Sequence, residues 1–164
     1  MKLFTYISLI LALFNCYDIY AQAEPKMVTQ ARVVDGKVVL NWYPNDVTVW
    51  RNSLKSSYTI SRENLSGANA GFAPQRIVTR NQEWFKMNVR PEDGVIYPIG
   101  EILYNPDFSM SGSDNADGWS VKYNYIVYES TLDNKVASAV GLGYVDSTVI
   151  KGGKYRYTIT STQS

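Results

Sequence analysis

The chain contains no histidine, and its single cysteine, Cys16, stands close to the start. Without histidine there is no Ser-His-Asp triad, no Cys-His pair and no zinc site built from these two residue types. One cysteine also excludes a disulfide within the chain, so packing alone must stabilise the fold. We therefore predict a protein that is not an enzyme and that uses no metal or other cofactor.

An excess of charge of one sign is also missing. The chain has 16 Lys and Arg against 15 Asp and Glu, a formal net charge of +1. With no basic run, nucleic acid is not expected as a partner. The one long apolar run, Leu3 to Phe14, is much shorter than the ~20 residues that span a bilayer, so no membrane span is expected.

That apolar run, its positive start and the small residues Ala21-Gln22-Ala23 have the form of a signal peptide. We predict that residues 1–23 are removed on export and that residues 24–164 form one domain at the cell surface, in the periplasm or outside the cell. Cys16 leaves an alternative open, a lipoprotein with an acylated cysteine. The bulky residues before Cys16 favour ordinary export.

Alternation of apolar and polar residues, which is typical of strands, marks several segments. In Val33–Trp42 a tight turn at Asp35-Gly36 leads into a strand whose Val38, Leu40 and Trp42 share one face. A core-facing Trp42 needs a second sheet to cover it. The other alternating segments are Val47–Trp50, Tyr58–Arg62, Tyr144–Ile150 and Lys154–Thr160, the last two separated by a Gly152-Gly153 turn.

Together these segments resemble the fibronectin type III family. In that family the second strand ends in a core Trp, the third carries Tyr-x-Ile-x-Arg, and an aspartate-bearing strand precedes a Gly turn and a Tyr-x-Tyr-x-Ile/Val strand. The resemblance implies a mainly β, immunoglobulin-like sandwich from an exported bacterial surface protein. The matching residues here are Gly36–Trp42, Tyr58–Arg62, Tyr144–Ser147, Gly153 and Tyr155–Ile159.

Two features depart from the family. Its domains run ~90–100 residues, whereas here an insertion of about residues 63–143 separates the third strand from the later ones. The family's last strand also has no counterpart before Ser164. Either the sequence is a fragment of a longer protein, or a partner supplies a strand to the open edge.

The insertion is predicted to be partly helical. Asn81 is placed to cap a short helix through Met87. Val95–Tyr104 is interrupted by proline and glycine, and we predict an irregular segment or a broken helix. The polar loop Pro106–Gly118 has too few carboxylates at the positions of a calcium loop, so no metal site is predicted there.

Further along, Trp119–Tyr128 fits both a helix and a strand, and we favour the helix. Thr131 is then predicted to cap a last helical turn that Gly141 or Gly143 ends. Exposed aromatic faces in this insertion would stack on sugars or anchor a protein partner. As candidate binding residues we name Trp84, Phe85, Trp119 and Tyr123; the alternative is that they fill a core between insertion and sandwich.

The leading functional hypothesis is a non-catalytic exported β-sandwich module for protein–protein docking or spacing within a larger surface protein or cell-envelope complex. Its partner would be another protein or the remainder of the same polypeptide. The alternative is a carbohydrate-binding module that uses the aromatic residues of the insertion on a glycan. A glycosidase would need two carboxylates ~5–10 Å apart across a cleft, and nothing in the sequence places such a pair.

Overall fold

A computed structural model of the protein describes residues 26–67, 71–105 and 116–162. The predicted signal peptide with Cys16, and most of the loop in which calcium ligands were considered, lie outside these ranges. None of the described helices combines the length and the apolar character needed to cross a bilayer.

The first sheet holds three antiparallel strands in the order β1-β2-β5: β1 (Met27–Val34), β2 (Lys37–Pro44) and β5 (Gly143–Asp146). The turn predicted at Asp35-Gly36 closes the β1-β2 hairpin. Both turn residues have positive φ, 49° and 73°, which is the type I′ geometry that matches the twist of paired strands. The first alternating segment is thus confirmed as a turn and a strand.

The second sheet has the order β4-β3-β6: β3 (Ser57–Asn64), β4 (Gln75–Ile77) and β6 (Tyr155–Thr162). β3 pairs with β6 along its whole length. The Gly152-Gly153 turn therefore joins strands of different sheets, because β5 belongs to the first sheet and β6 to the second. The predicted strands Tyr58–Arg62 and Lys154–Thr160, which are far apart in the chain, thus pair side by side in one sheet.

The core lies between the two sheets. Trp42 on β2 is completely buried, and its ring meets the ring of Tyr58 on β3 edge-on, with centroids 5.7 Å apart. Ile60, two residues further along β3, is also completely buried. The prediction that Trp42 points into the core against a second sheet is confirmed.

Helices cover the outer face of the first sheet, so the expectation of a mainly β protein is wrong. Of the residues that the structure describes, 39% are in helices and 32% in strands, which makes this a mixed α/β fold. Asn41, on the outer face of β2, is buried and donates a hydrogen bond from Nδ2 to the Ser130 carbonyl at 3.1 Å. The helices are α1 (Val47–Ser53), α2 (Gln82–Asn88), α3 (Ile96–Tyr104), α4 (Ala116–Leu132) and α5 (Asn134–Ala139), with a 3-10 turn at Pro91–Asp93.

Capping residues determine where two of these helices begin. The alternation in Val47–Trp50 is not a strand: the Asp46 carboxylate accepts from the Val49 N–H at 2.9 Å and starts α1, which buries Trp50. The prediction for Asn81 is confirmed, since its side chain accepts from the Trp84 N–H at 2.9 Å and starts α2. A side-chain cap of this kind stabilises a helix end by about 1 kcal/mol.

α3 is a regular helix where a broken one was expected. Pro98 lies in its first turn, where a proline removes no helical hydrogen bond. Gly100 sits under the ring of Phe85, and a Cβ there would come within 2.9 Å of that ring. The two residues that seemed to interrupt the helix are therefore suited to their positions.

α4 and α5 follow the preferred helical interpretation with one correction. Thr131 belongs to the last turn of α4, where its hydroxyl donates to the Tyr128 carbonyl. The cap of α5 is Asp133, which accepts from the Lys135 N–H at 2.7 Å. Gly141, with φ of 72°, follows α5 and turns the chain toward β5.

Candidate functional site

The four candidate binding residues fall into two aromatic clusters. Trp84 and Phe85 on α2 are in edge-on contact, with ring centroids 5.3 Å apart. Trp119 and Tyr123 on α4 both pack on Trp50 of α1, at 6.1 and 5.4 Å. No ring contact joins the two clusters within the described ranges, so they are not one surface.

The Trp119 cluster fastens α4 to the rest of the fold. Tyr123 donates its hydroxyl hydrogen to the Pro44 carbonyl at the end of β2. The guanidinium of Arg51 lies 4.4 Å from the centre of the Trp119 ring, and the Lys122 ammonium lies 5.1 Å from it. These cations occupy ring surface that a sugar would need, so the contacts favour a packing role here.

Trp84 borders an open cleft, and its neighbour Phe85 is 5% exposed and belongs to the core. The cleft, called here the α2–α5 groove, has a volume of about 490 Å³. Its lining combines an aliphatic floor with a polar rim. The floor includes Val89, Ile96 and Ala139, and the rim includes Arg80, Trp84, Asn88, Asp93, Asn134, Lys135 and Ser138.

Hydrogen bonds hold the rim at Arg80 in place. Its N–H donates to the Ala139 carbonyl at 2.8 Å, and its carbonyl accepts from the Tyr104 hydroxyl. The preceding Thr79 donates its hydroxyl to the Val140 carbonyl at 3.0 Å. Loop and helix thus form one wall without any ligand, which lowers the entropy cost of binding there.

The charges of the groove are not balanced. The Arg80 guanidinium lies over the Trp84 ring, 5.4 Å from its centre. In the described part of the chain, neither Arg80 nor Lys135 forms an ion pair. The Asp93 carboxylate on the same rim already accepts from the Arg90 N–H at 2.6 Å. Trp84 is recognisable as a candidate from the sequence, but the two cations are not, because nothing in the sequence indicates that Arg80 and Lys135 line one groove.

A buried polar cluster connects the two sheets. Asp146 of β5 is completely buried and accepts from Arg62 Nη1 at 2.6 Å and from the Tyr157 hydroxyl at 2.8 Å. The N–H and hydroxyl of Thr148 donate to its other oxygen at 2.8 and 2.7 Å. Burial alone would raise the pKa of Asp146, but these hydrogen bonds together lower it below its ordinary value.

The same cluster raises the pKa of Tyr157, first through burial and then through its hydrogen bond to Asp146. Both oxygens of the carboxylate are engaged and no solvent reaches them. A buried carboxylate whose oxygens all accept hydrogen bonds cannot reach a substrate to take up its proton. The cluster is therefore suited to holding the sheets together rather than to acid–base chemistry.

β6 is a long strand at the edge of its sheet. One side pairs with β3, and no described strand lies on the other. The Leu65 N–H donates to the Lys154 carbonyl at 2.8 Å. In an antiparallel ladder such pairs recur every second residue, so the intervening residues turn their N–H and C=O groups to the open edge. Those residues are Tyr155, Tyr157, Ile159 and Ser161.

Comparisons with known proteins assign no role to the groove, the buried cluster or the edge of β6. The chain matches no protein-family model, no curated protein and no solved structure. Within the described ranges, no three His, Cys, Asp or Glu side chains gather as ligands for a metal ion. Among the described residues, the α2–α5 groove and the open edge of β6 both offer contacts to another molecule.

Proposed function

We propose that the protein is a non-catalytic exported module of fibronectin type III-like topology, which docks or spaces the parts of a larger surface protein or cell-envelope complex. The observation that carries the proposal is the open edge of β6. An edge of unpaired backbone groups on a strand of this length is a template for another strand. β4, at the opposite edge, has only three residues.

Strand order supports the topology. The first, second and fifth strands share one sheet, and the third and sixth pair in the other. Strands A, B, E and C, F divide in the same manner in immunoglobulin-like sandwiches, where a seventh strand lies beside the sixth. The open edge is therefore the position at which a further strand completes this architecture.

Side chains at the edge indicate what would bind. Tyr157 and Ile159 of β6 face the core but stay partly exposed, whereas Arg156 and Thr158 face outward and are exposed. In strand addition, main-chain hydrogen bonds supply affinity, and alternate side chains supply specificity. The expected occupant is an extended segment with apolar residues at every second position, from a partner or from the same polypeptide.

The first test is hydrogen exchange in residues 24–164. Amides at positions 155, 157, 159 and 161 should exchange much faster than those at 156, 158 and 160, which bond to β3. A peptide as long as β6, alternating Thr and Val between terminal lysines, should slow the first set and raise the melting temperature. Uniform protection in the free protein, or no effect of the peptide, would refute docking at this edge.

A proline variant separates the edge from the rest of the fold. Ser161→Pro removes an N–H that points outward and leaves the bonds to β3 intact. It should weaken peptide binding about tenfold, the effect of one lost hydrogen bond of ~1.4 kcal/mol. Ser161→Ala is the matched control and should bind as the unmodified protein does. Equal binding by both variants would contradict the proposal.

Carbohydrate binding is a second candidate function, favoured by the position of Trp84 at the α2–α5 groove. Glycan-array binding that Trp84→Ala abolishes and Trp119→Ala leaves unchanged would establish it. The contrast is informative because Trp84 lines the groove, whereas Trp119 packs on Trp50 outside it. An array silent for the unmodified protein would remove this candidate.

A further inference from the structure

We infer that the α2–α5 groove binds a short acidic peptide segment through one apolar anchor side chain. The inference goes beyond docking at β6, because it rests on another surface and other residues. Three properties of the groove support it: the character of its floor, the sign of its charge and the hydrogen-bonding groups on its rim.

The floor suits an apolar side chain. Val89, Ile96 and Ala139 are each buried for more than nine-tenths of their surface, so they form a fixed aliphatic base. The volume of about 490 Å³ lies within the 300–1,000 Å³ of ordinary ligand sites. It has room for one large side chain and the adjoining backbone. Each CH₂ group buried on such a base contributes about 0.8 kcal/mol.

The charge of the rim calls for an anionic partner. Arg80 and Lys135 come from different segments and have no carboxylate partner among the described residues. The Asp93 carboxylate accepts a hydrogen bond from the Arg90 N–H but keeps its charge, so the two cations leave the rim with one net positive charge. An arginine fork also matches the geometry of a carboxylate. The whole chain is close to neutral, with a net charge of +1. The two cations on the rim therefore do not reflect a general excess of positive charge.

Side-chain amides on the rim match a peptide backbone. Asn88 donates from Nδ2 to the Trp84 carbonyl at 2.9 Å, and Asn134 accepts at Oδ1 from Arg32 at 2.8 Å. Oδ1 of Asn88 and Nδ2 of Asn134 make no hydrogen bond within the described residues. One acceptor and one donor are what an extended peptide needs for its own N–H and C=O.

The same contacts disfavour a sugar as the occupant. A sugar ring stacks on an open aromatic face, and the Arg80 guanidinium already lies over Trp84. An aliphatic floor also gives sugar hydroxyl groups no partner, and buried hydroxyls without hydrogen bonds lose affinity. An acidic peptide keeps the Arg80–Trp84 contact and adds a carboxylate to it.

The test uses residues 24–164 and labelled pentapeptides of the form Ac-Asp-Glu-X-Glu-Asp-NH2, with Leu, Ile, Phe or Trp at X. We expect at least one to bind in fluorescence anisotropy, and its affinity to fall as salt is raised. The matched peptide with Asn and Gln in place of the acids, and the one with Ala at X, should both bind more weakly. Equal binding of the neutral peptide would overturn the inference.

Variants then locate the site. Arg80→Gln and Lys135→Gln should each weaken binding about threefold to fivefold, the effect of one exposed ion pair. Lys86→Gln is the control, because Lys86 is an exposed cation on α2 that does not line the groove. Ser138→Trp should block binding by filling the groove from an exposed position. Melting temperatures close to that of the unmodified protein would show that these variants fold.

Three results would reject the inference: no binding by any of the four peptides, equal losses in Arg80→Gln and Lys86→Gln, or full binding by Ser138→Trp. Binding of an oligosaccharide in place of the peptides, lost in Trp84→Ala, would also reject it and support carbohydrate recognition. Ser161 does not line the groove, so Ser161→Pro should leave binding of the acidic peptide unchanged. Failure of peptide binding in the groove and failure of docking at β6 are therefore separate outcomes.

Discussion

At the scale of single residues, the carboxylate of Asp146 joins the two sheets. It is completely buried and accepts hydrogen bonds from β3, from β6 and from the residues after β5. Burying a charge is costly unless its partners are well placed. Here four donor groups compensate for the loss of water, so removing the charge should destabilise the packing of both sheets.

Asp146→Asn should lower the free energy of unfolding by about 3–5 kcal/mol, because it leaves the Arg62 charge buried without its partner. Urea denaturation measures this. Asp35→Asn, at the exposed type I′ turn, is the control and should stay within about 0.5 kcal/mol of the unmodified protein, as surface substitutions do. A loss for Asp146→Asn no larger than for the control would contradict the structural role.

The lowered pKa of Asp146 also predicts a pH dependence. Since the pKa is lower in the folded state than in the unfolded one, the stabilisation is complete above the unfolded value of about 3.9. It is lost as the pH falls through the folded value. Stability curves below pH ~4 should therefore drop more steeply for the unmodified protein than for Asp146→Asn. Parallel curves would show that this carboxylate does not contribute.

At the scale of elements, α5 packs closely against β5 at Gly143. A Cβ on Gly143 would come within 2.5 Å of the Ala137 Cβ and within 3.3 Å of the Asn41 side-chain nitrogen. Real Cβ atoms do not approach so closely, so α5 depends on the absence of a side chain at this point of the strand.

Gly143→Ala should destabilise the protein by about 1–3 kcal/mol, the usual cost of forcing extra volume into a packed interior. The matched variant Ala137→Gly removes the opposing methyl group and itself costs about 1 kcal/mol through helix propensity. In that background the added cost of Gly143→Ala should be smaller. A double-mutant cycle by chemical denaturation measures the coupling, and strict additivity would refute the contact.

Strands were easier to predict from the sequence than helices. The alternation in β2, β3 and β6 depends only on which residues face the core, and it is visible within each segment. The same alternation in Val47–Trp50 was misleading, because Asp46 and burial of Trp50 decide in favour of a helix. In α3, Pro98 is tolerated because the helix begins just before it, and Gly100 is required by the contact with Phe85. Neither the exact start of the helix nor that contact is visible in a local sequence pattern.

The candidate site was predictable only in part, for the same reason. Trp84 could be named because aromatic residues in an insertion are conspicuous. Arg80 and Lys135 are ordinary charged residues, and they line one groove because the Arg80 backbone bonds to the end of α5. The resemblance to the type III family predicts an open edge, but which residues of β6 face that edge follows only from the register with β3.

At the scale of the whole molecule, the helices and the sheets share one core. The buried cluster includes Trp42 and Ile60 from the two sheets together with Ile99 of α3 and Ile126 of α4. The helical segment between β4 and β5 is thus not a separable unit. Without it, the outer face of β2 with Val39 and Asn41, both nearly inaccessible here, would meet water.

We therefore expect residues 24–164 to unfold in a single cooperative transition. Far-ultraviolet circular dichroism, dominated by the helices, and tryptophan fluorescence, which follows the core, should give coincident curves with denaturant. A variant in which a short Gly-Ser linker replaces residues 78–142 should not fold. A first transition confined to helical signal, with the core fluorescence unchanged, would contradict the single core.

The four tryptophans provide a measure of such changes because their surroundings differ. Trp42 and Trp50 are completely buried, and their indole N–H groups have no hydrogen-bond partner among the described residues; Trp84 and Trp119 are partly exposed. Indoles shielded from water emit at shorter wavelengths than exposed ones. Trp84 also lines the groove, so a ligand there would change the long-wavelength emission, while unfolding would shift the emission of Trp42 and Trp50. One spectrum can therefore distinguish occupation of the groove from loss of the core.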